Sequence, residues 1–370
     1  MNKILIVGGY GNVGKTISIR LADLFPGNVI IAGRRYEEAK KLSDHTLGKA
    51  VPRRINLDRL DAIDPILQDV GMVVMCIDQV DTALIKACFQ RDIHYIDITA
   101  NYALFSQVAS LATHFQDYKA TAILSVGLAP GLTNLLVKKC AQKLLSIDEA
   151  HIYLMLGLGD VHGEAAIRWI VREFGQSFTL PGPRANSVTQ SFATSTQFTF
   201  SGDHRPRTVY AFNFPEQHTL PSTIGIPVRN WLCFDSRVVT RGLGFVSKIG
   251  SRDVWKRPAM QDCIVQLMKW ISVGSDHFVV AVEAVGRDTR GEATYSYQID
   301  GHDEAHITGI VASEVAKQLY IAKHSFGIFH IEQLFDFASF RDVLIEVGVV
   351  MPSSSLECSN VSCSAQPHRR

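Results

Sequence analysis

The stretch KILIVGGYGNVGKTISIRL, residues 3–21, decides the fold of this chain. An apolar run rich in β-branched residues leads into a glycine-rich turn, and the turn opens a segment with apolar residues at helical spacing. Gly9, Gly11 and Gly14 have the spacing G-x-G-x-x-G. The first glycine permits a tight turn, the second lets the backbone approach a pyrophosphate, and the third lets the helix pack closely on the strand. The stretch predicts the first unit of a dinucleotide-binding domain.

The start of the predicted helix supplies the rest of this site. Backbone N–H groups at a helix N-terminus have no partner inside the helix, so they can bind an anion placed there. A purely structural turn is the alternative, because glycine-rich turns also occur for geometric reasons alone. The position of the motif between a strand and a helix favours the binding site. We expect the cofactor to contact Gly9, Tyr10, Gly11, Asn12, Val13 and Gly14.

The residues at the end of the second predicted strand indicate which dinucleotide is bound. An NAD site carries an Asp or Glu about 20 residues beyond the last glycine, where it binds the ribose hydroxyls. Here Arg34 and Arg35 occupy that position. Guanidinium groups bind a 2′-phosphate in bidentate geometry, whereas a carboxylate would repel it. The pair predicts NADP(H), and the alternative is two solvated arginines. Asp58, after the third strand, is expected near the adenine or at a helix N-terminus.

The first third of the chain alternates short β-branched runs with helical stretches. Such alternation is typical of a parallel sheet covered by helices. It predicts a doubly wound Rossmann domain, of the α/β class, over residues 1–128. The expected strands are Lys3–Gly8, Val29–Ala32, Ala50–Asn56, Met72–Ile77, His94–Ile98 and Ala122–Val126, and the expected helices are Gly14–Leu24, Tyr36–Asp44, Asp81–Gln90 and Tyr102–Lys119.

The sequence after Pro130 predicts a second domain of the α+β type over residues 129–325, with a largely antiparallel sheet. Its clearest element is a hairpin, in which strands at 278–286 and 292–300 flank the turn DTRG. The region 186–240, rich in Thr, Phe and Val, predicts several antiparallel strands. A strand is expected at 151–158, and helices are expected at Leu132–Leu145, Gly163–Phe174, Ala259–Ile271 and Glu304–Ala322. Residues 326–350 are expected to pack back on the first domain, with a helix within Ile331–Gly348, and the Ser-rich tail 353–370 is expected to be disordered.

Composition excludes several classes of protein. Of the 370 residues 46% are hydrophobic, and 37 Lys and Arg balance 36 Asp and Glu, so the bulk of the chain is not intrinsically disordered. Without a basic field, neither nucleic acid nor an anionic membrane is expected as a partner. Seven cysteines without a CxxC motif predict neither a disulfide framework nor a metal site. We expect a cytoplasmic protein, and the antiparallel strands offer a surface for a homodimer.

The motifs together resemble the saccharopine dehydrogenase-like family of NAD(P)-dependent oxidoreductases. The opening GGYGNVGKTISIRL and the GRR at 33–35 fit its Rossmann half. The segment HYIDIT at 94–99 is similar to a family strand, and VGLAPGLTNLL at 126–136 is similar to its G-x-x-P-G-x-x-N passage into the second domain. HITGIVASEVAKQLYIAKHSFGIFHIEQLFD at 306–336 resembles the closing helix and loop of the family. Residues 175–260 match nothing in the family.

The resemblance implies hydride transfer between NADP(H) and the carbon of a C=N bond in an amino-acid-derived substrate. Members of the family include saccharopine reductases, lysine dehydrogenases and carboxynorspermidine-forming enzymes. One fold hosts many chemistries, so two alternatives stay open. The first is a catalytically silent NADPH-binding sensor or partner protein. The second is a reductase of C=O or C=C bonds in secondary metabolism.

The carboxyl ends of the predicted parallel strands select candidate residues around the nicotinamide, because ligands of open α/β sheets bind there. Cys76 and Ile77 follow the fourth strand, and Gly127 follows the sixth; all three are expected to line the cofactor. Asp97 belongs to the group 97–100 at the carboxyl end of the fifth strand and is the acid that we expect to hold the cofactor amide or a cationic iminium. Its alternative role is a strand-end hydrogen bond.

The second predicted domain offers a proton donor and a carboxylate clamp. His162 precedes a predicted helix and could act as general acid, although a structural histidine is the more common case. Arg168 and Trp169 on that helix could reach the substrate, with Arg168 binding a carboxylate. Asp160 is expected to cap the same helix. Five other arginines compete for the clamp role: Arg205, Arg207, Arg229, Arg252 and Arg257. The basic segment 251–258, with Trp255, is interpreted as a solvated loop.

Overall fold

The first sheet has seven parallel strands in a computed structural model of the chain, which describes residues 2–57, 63–115, 117–160, 164–174, 176–180, 187–249, 262, 266, 274–351 and 357–359. Numbered along the chain, its strands are β1 (Lys3–Val7), β2 (Val29–Gly33), β3 (Ala50–Arg54), β4 (Val70–Met75), β5 (His94–Asp97), β6 (Thr121–Leu124) and β15 (Gly327–His330), in the spatial order β15-β6-β5-β4-β1-β2-β3. Strands β1, β2 and β4 are almost wholly buried, as expected where helices cover both faces of a parallel sheet.

The helices of this half are α1 (Asn12–Leu24), α2 (Tyr36–His45), α3 (Ile63–Leu67), α4 (Ala83–Phe89) and α5 (Tyr102–Ala109). The predicted helix at 102–119 is wrong in length, since α5 ends at Ala109 and a separate 3-10 turn spans Ala112–Phe115. The Ser110 hydroxyl donates to the Gln107 carbonyl at 2.6 Å. Such local bonding competes with continuation of the helix.

The second sheet also has seven strands, and they are mostly antiparallel. Its strands are β7 (Ser146–Leu156), β10 (Ser195–Phe198), β11 (Arg207–Ala211), β12 (Val228–Phe234), β13 (His277–Asp288), β14 (Gly291–His302) and β16 (Glu357–Ser359), in the order β10-β11-β12-β7-β13-β14-β16, while β8 (Ser177–Leu180) pairs only with β9 (Ser187–Gln190). The predicted hairpin is present as β13 and β14. The α/β class with a second, largely antiparallel domain is confirmed.

The prediction of antiparallel strands alone at 186–240 is wrong in part. Helix α8 (Glu216–Thr223) interrupts the region, and β12 pairs in parallel with β7. Pro215 precedes the first turn of α8, where a missing N–H costs no hydrogen bond. Strand β12 is buried at six of its seven positions, as is usual for a strand covered on both faces.

The remaining helices join the two halves. They are α6 (Thr133–Ala141), α7 (Glu164–Glu173), α9 (Arg237–Ile249), α10 (Glu304–Ile321), α11 (Ile331–Leu334) and α12 (Ala338–Glu346). Helix α10 packs on α1 at Gly309, where an added Cβ would lie 2.6 Å from the Thr16 side chain. One apolar core runs from the first sheet through α1 and α10 to the second sheet. This packing brings the start of α10 beside the glycine loop.

The expected helix at Ala259–Ile271 and the expected disordered tail 353–370 lie almost entirely outside the described residues. Strand β15 lies within the segment 326–350 and pairs with β6. None of the described helices combines the length and the hydropathy that a membrane span requires.

Candidate active site

The glycine loop between β1 and α1 is closed by its own backbone. Gly11 N–H donates to the Gly8 carbonyl at 2.9 Å, and the Ser18 hydroxyl donates to the Gly9 carbonyl at 2.8 Å. A Cβ at Gly14 would lie 2.2 Å from the Gly8 oxygen, so only glycine fits there. Helix α1 begins at Asn12 with no acidic residue in its first turn. An anion at the start of α1 therefore meets the positive end of the helix dipole without a competing carboxylate from that turn.

Gly11 differs from the other glycines of the loop. A Cβ there would have only the Gly8 oxygen within 4 Å, at 3.2 Å, and Gly11 lines the cavity described below. A larger side chain at this position would therefore extend into the cavity. This is the space that a pyrophosphate needs in a dinucleotide-binding loop.

The two arginines after β2 lie at the same cavity. The Arg35 backbone N–H donates to the Tyr10 hydroxyl at 3.0 Å, and the Arg35 guanidinium lies 5.5 Å from the centre of the Tyr10 ring. A Cβ at Gly33 would lie 2.4 Å from that ring, so the absence of a side chain lets Tyr10 pack on the strand end. Arg34 and Arg35 are exposed there, and both line the cavity. Asp58 lies outside the described residues.

A single cavity of about 1050 Å³ connects these features to the second sheet. This volume lies at the upper end of the range for small-molecule sites, which leaves room for a substrate beside an extended cofactor. The predicted cofactor contacts that line it are Tyr10, Gly11, Asn12, Val13, Gly14, Arg34, Arg35, Cys76, Ile77 and Gly127. Gly9 is not among the lining residues; it lies behind the loop, where a Cβ would lie 2.8 Å from the Ser18 hydroxyl.

The loops after β4, β5 and β6 form the floor of the cavity at its middle. Cys76 and Ile77 follow β4, and a Cβ at Gly8 would lie 2.6 Å from the Ile77 side chain. Burial raises the pKa of the Cys76 thiol well above its usual value, so the thiol stays neutral. Thr99 follows β5, and Gly127 and its neighbours follow β6. The carboxyl ends of the strands meet here, as the general rule for α/β sheets requires.

Asp97 lies beneath this floor and is fully buried. Its carboxylate accepts hydrogen bonds from the Thr99 N–H at 2.8 Å, the Thr99 hydroxyl at 2.6 Å and the Tyr95 hydroxyl at 2.8 Å. Burial raises its pKa, and the hydrogen bonds from Thr99 and Tyr95 oppose that rise. The structure therefore brings Thr99, rather than Asp97 itself, to the cavity wall.

The wall that faces these loops comes from the second half of the chain and is apolar. Leu154 and Leu156 belong to β7, and Trp169 and Ile170 belong to α7. Phe214 completes the wall, with its ring centre 5.2 Å from that of Trp169. Of these five residues, only Trp169 is predicted from the sequence to reach the substrate. The other four carry no motif, because any apolar residue in a strand or helix has the same pattern.

The other candidates from the second half lie elsewhere. Arg168 projects from α7 into solvent, where its guanidinium lies 2.6 Å from Asp262, and it is not among the lining residues. His162 lies outside the described residues, as do Arg252, Arg257 and the rest of the basic segment 251–258. Arg205 is exposed, Arg207 pairs with Asp203 at 2.5 Å, and Arg229 lies 3.3 Å from Glu149.

The acidic residues of the lining are Asp78, Asp81 and Glu304. Asp78 lies on the loop after β4, and loss of hydration raises the pKa of its carboxyl while Arg172 opposes that rise. The Asp160 carboxylate accepts the Glu304 backbone N–H at 2.9 Å, so Asp160 meets the start of α10. Glu304 was missed in the sequence, because only the packing of α10 on α1 brings it to the loop.

The chain is similar to known proteins in sequence and in structure. Residues 4–123 match the family model of the saccharopine dehydrogenase NADP-binding domain. No curated protein matches the chain. Apo saccharopine dehydrogenase (L-Glu forming) from Saccharomyces cerevisiae is similar in structure, with a TM-score of 0.63 at 12% identity over 98% of this chain and 100% of that one. At this identity the likeness shows the shared fold.

A second solved structure is more distant. The DAP dehydrogenase of C. glutamicum, in complex with DAP, covers 94% of this chain and 99% of its own at 13% identity, with a TM-score of 0.42. A likeness at this level carries no argument about the site.

The resemblance to the saccharopine dehydrogenase-like family is confirmed by the match over residues 4–123, and NADP(H) is confirmed as the cofactor of that domain. The site fits this cofactor, since α1 begins at the cavity with no acidic residue in its first turn, Gly11 leaves space, and two arginines occupy the far end. The match supports the broader prediction of an NADP-dependent oxidoreductase.

Proposed function

We propose that this protein transfers hydride between NADP(H) and the carbon of a C=N bond in a small molecule. The observation that carries the proposal is the single cavity of about 1050 Å³. It joins the glycine loop of the NADP-binding domain to a wall built by β7, α7 and Phe214. A site of this shape holds a cofactor along one side and a substrate against the other.

Different residues would bind different parts of NADP(H). Arg34 and Arg35 would bind the 2′-phosphate, and the amides at the start of α1 would bind the pyrophosphate. The strand-end residues Cys76, Ile77 and Gly127 would hold the nicotinamide end. When bound, NADPH supplies the hydride. Trp169 and Phe214 on the opposite wall would exclude water from the reacting atoms and position the substrate.

Asp97 serves this arrangement as a positioning residue. It fixes Thr99 through two hydrogen bonds, and Thr99 lies on the cavity wall. Asp78 lies on the neighbouring loop and would stabilise positive charge on the substrate nitrogen. His162 remains a predicted general acid. Arg168, which pairs with Asp262, has no part in this proposal as a carboxylate clamp.

The experiment is NADPH oxidation by the purified chain, followed by the absorbance of NADPH. Three substrate classes separate the hypotheses: carbonyl compounds mixed with amines, preformed cyclic imines, and plain ketones or enones. We expect turnover with an imine and little with ketones or enones. Turnover restricted to ketones or enones would replace the proposal by C=O or C=C reduction.

A catalytically silent NADPH-binding protein is the second candidate. One observation favours it: the described residues that line the cavity include no histidine, the side chain that most often acts as general acid. Tight NADPH binding without turnover in any of the three classes would support this candidate.

A further inference from the structure

The charges around the cavity are segregated. Arg34 and Arg35, the basic residues in the described lining, lie together where β2 ends. The acids Asp78 and Asp81 lie on the loop after β4. Glu304 lies at the start of α10, where its backbone N–H donates to the carboxylate of Asp160, which follows β7. Among the described lining residues, the substrate half of the cavity therefore combines hydrocarbon with acidic groups.

The nearest basic side chains of α7 are already paired. Loss of hydration raises the pKa of Asp78, and the positive charge of Arg172 opposes that rise. The Arg172 guanidinium lies 3.6 Å from Glu173. Arg168 lies 2.6 Å from Asp262. Within the part of the chain that the structure describes, a substrate carboxylate would have to displace one of these ion pairs or lie among acids. An unpaired charge in such a site is strongly disfavoured.

We infer that the substrate half of the cavity takes a compact apolar iminium cation without a carboxylate, rather than an amino-acid-derived imine. The inference rests on the proposed function, since it concerns the same cavity. Five apolar side chains, Leu154, Leu156, Trp169, Ile170 and Phe214, would surround the hydrocarbon part of such a substrate. Asp78 would face its positive nitrogen. In reduction the carbon accepts the hydride from NADPH, the C=N π electrons become the nitrogen lone pair, and a neutral amine and NADP⁺ result.

The decisive comparison uses two cyclic imines that differ in one group. The probes are 2-methyl-1-pyrroline and 1-pyrroline-2-carboxylate, in which a methyl and a carboxylate occupy the same carbon. We expect kcat/KM with NADPH to be at least about tenfold higher for the methyl compound, because the carboxylate would lie in the cavity without a cationic partner. Equal efficiency, or a preference for the carboxylate, would overturn the inference.

If neither imine is reduced, the affinities of the two reduction products test the inference instead. Calorimetry with the NADP⁺-loaded chain compares 2-methylpyrrolidine with proline. Preference for 2-methylpyrrolidine without any turnover would support the inference about the cavity while the proposed function fails. Equal affinity, preference for proline, or no binding of either would overturn the inference.

Substitution of Ile170, one of the five apolar wall residues, tests whether this wall faces the substrate. Ile170→Arg places a cation on the half-buried part of α7, and Ile170→Gln is the uncharged control. We expect the arginine to shift the kcat/KM ratio toward the carboxylate by about tenfold, and the glutamine to leave the ratio near that of the wild type. Equal ratios for both variants would contradict the inference.

Asp78→Asn keeps the test usable if Ile170→Arg does not fold. Asp78 lies on an exposed loop, so its substitution is expected to preserve the fold. We expect the preference for the methyl compound to fall by about threefold to tenfold while the Kd for NADPH is unchanged. An unchanged preference would show that Asp78 does not interact with the substrate nitrogen, and it would contradict a cationic substrate.

Discussion

At one end of the cavity Arg34, Arg35 and the amides of α1 present positive charge, whereas at the other end Leu156 and Phe214 present hydrocarbon and the neighbouring charges are acidic. The first end is built from residues close together in the sequence, and its contacts are largely made by the backbone. The second end is built by side chains from three separate elements. Cofactor affinity and substrate choice therefore depend on different residues, and mutations should separate them.

Gly11→Val is expected to have the largest effect on the cofactor end. A Cβ here would meet only the Gly8 oxygen, at 3.2 Å, so we expect the fold to persist while the valine methyl groups occupy the pyrophosphate space. We expect the Kd for NADPH to rise by more than about 100-fold, equivalent to roughly 2.7 kcal/mol. Calorimetry measures the affinity. Gly242→Val is the control, because a Cβ there has no described atom within 4 Å and Gly242 does not line the cavity. Unchanged affinity in Gly11→Val would refute the placement of the pyrophosphate.

The double variant Arg34→Ala, Arg35→Ala tests the charge at the same end. Each charge-assisted hydrogen bond contributes roughly 1.5–3 kcal/mol, so we expect the NADPH to NADH affinity ratio to fall by about tenfold to 100-fold. The Kd for NADH should change by less than about threefold. Arg54→Ala is the control, since Arg54 ends the neighbouring strand outside the cavity lining. Equal losses for both cofactors would mean that these arginines do not bind the 2′-phosphate.

We expect Glu216 to make the folding stability of the region next to Phe214 depend on pH. It is fully buried two residues after Phe214, and its carboxylate accepts a hydrogen bond from the Thr133 hydroxyl at 2.6 Å. Burial raises the pKa of Glu216 to about 7 from 4.5. Between pH 4.5 and about 7 the folded chain therefore keeps a proton that the unfolded chain releases. As a result, the free energy of unfolding falls as the pH rises through this range.

The measurement is urea unfolding of the wild type and Glu216→Gln between about pH 5 and pH 8. Because one pKa unit is worth about 1.4 kcal/mol, we expect the wild type to lose roughly 2–3 kcal/mol relative to the variant across that range. Parallel pH profiles for the two proteins would show that Glu216 titrates normally.

Asp97→Asn is expected to have the smallest effect and to act between the two ends. Four hydrogen bonds reach the carboxylate, two from Thr99, one from Tyr95 and a longer one of 3.4 Å from the Gln79 amide. Asparagine cannot accept all four, so the loop at Thr99 should lose order. We expect a loss of about 1–2 kcal/mol in unfolding free energy and a lower kcat, with the Kd for NADPH nearly unchanged. Thr99→Ser, which keeps the hydroxyl, should retain most of the activity. A large loss of NADPH affinity in Asp97→Asn would instead indicate direct contact with the cofactor.

The two ends also differ in how far the sequence predicts them. Gly11, Gly14 and Arg34 occupy fixed positions in a local motif, so the cofactor end follows from spacing alone. Leu154 and Phe214 meet only because β7 and the segment before α8 are brought together by the second sheet. Their apolar character fits any core position, and no period in the sequence marks a cavity wall.

The surroundings of the polar residues Asp97 and Glu304 likewise cannot be predicted from the sequence. The position of Asp97 at the end of β5 is visible in the sequence, but its burial beneath Thr99 depends on how the neighbouring loop closes. Glu304 reaches the glycine loop only because Gly309 lets α10 approach α1. The parallel pairing of β12 with β7 was likewise missed, because strand direction is set by the connections and not by composition.

Calorimetric titration of the wild-type chain with NADPH and then with NADH tests the central claim most directly. The account predicts one NADPH per chain, bound at least about tenfold more tightly than NADH. Absence of binding to either nucleotide, or equal affinity for both, would contradict it.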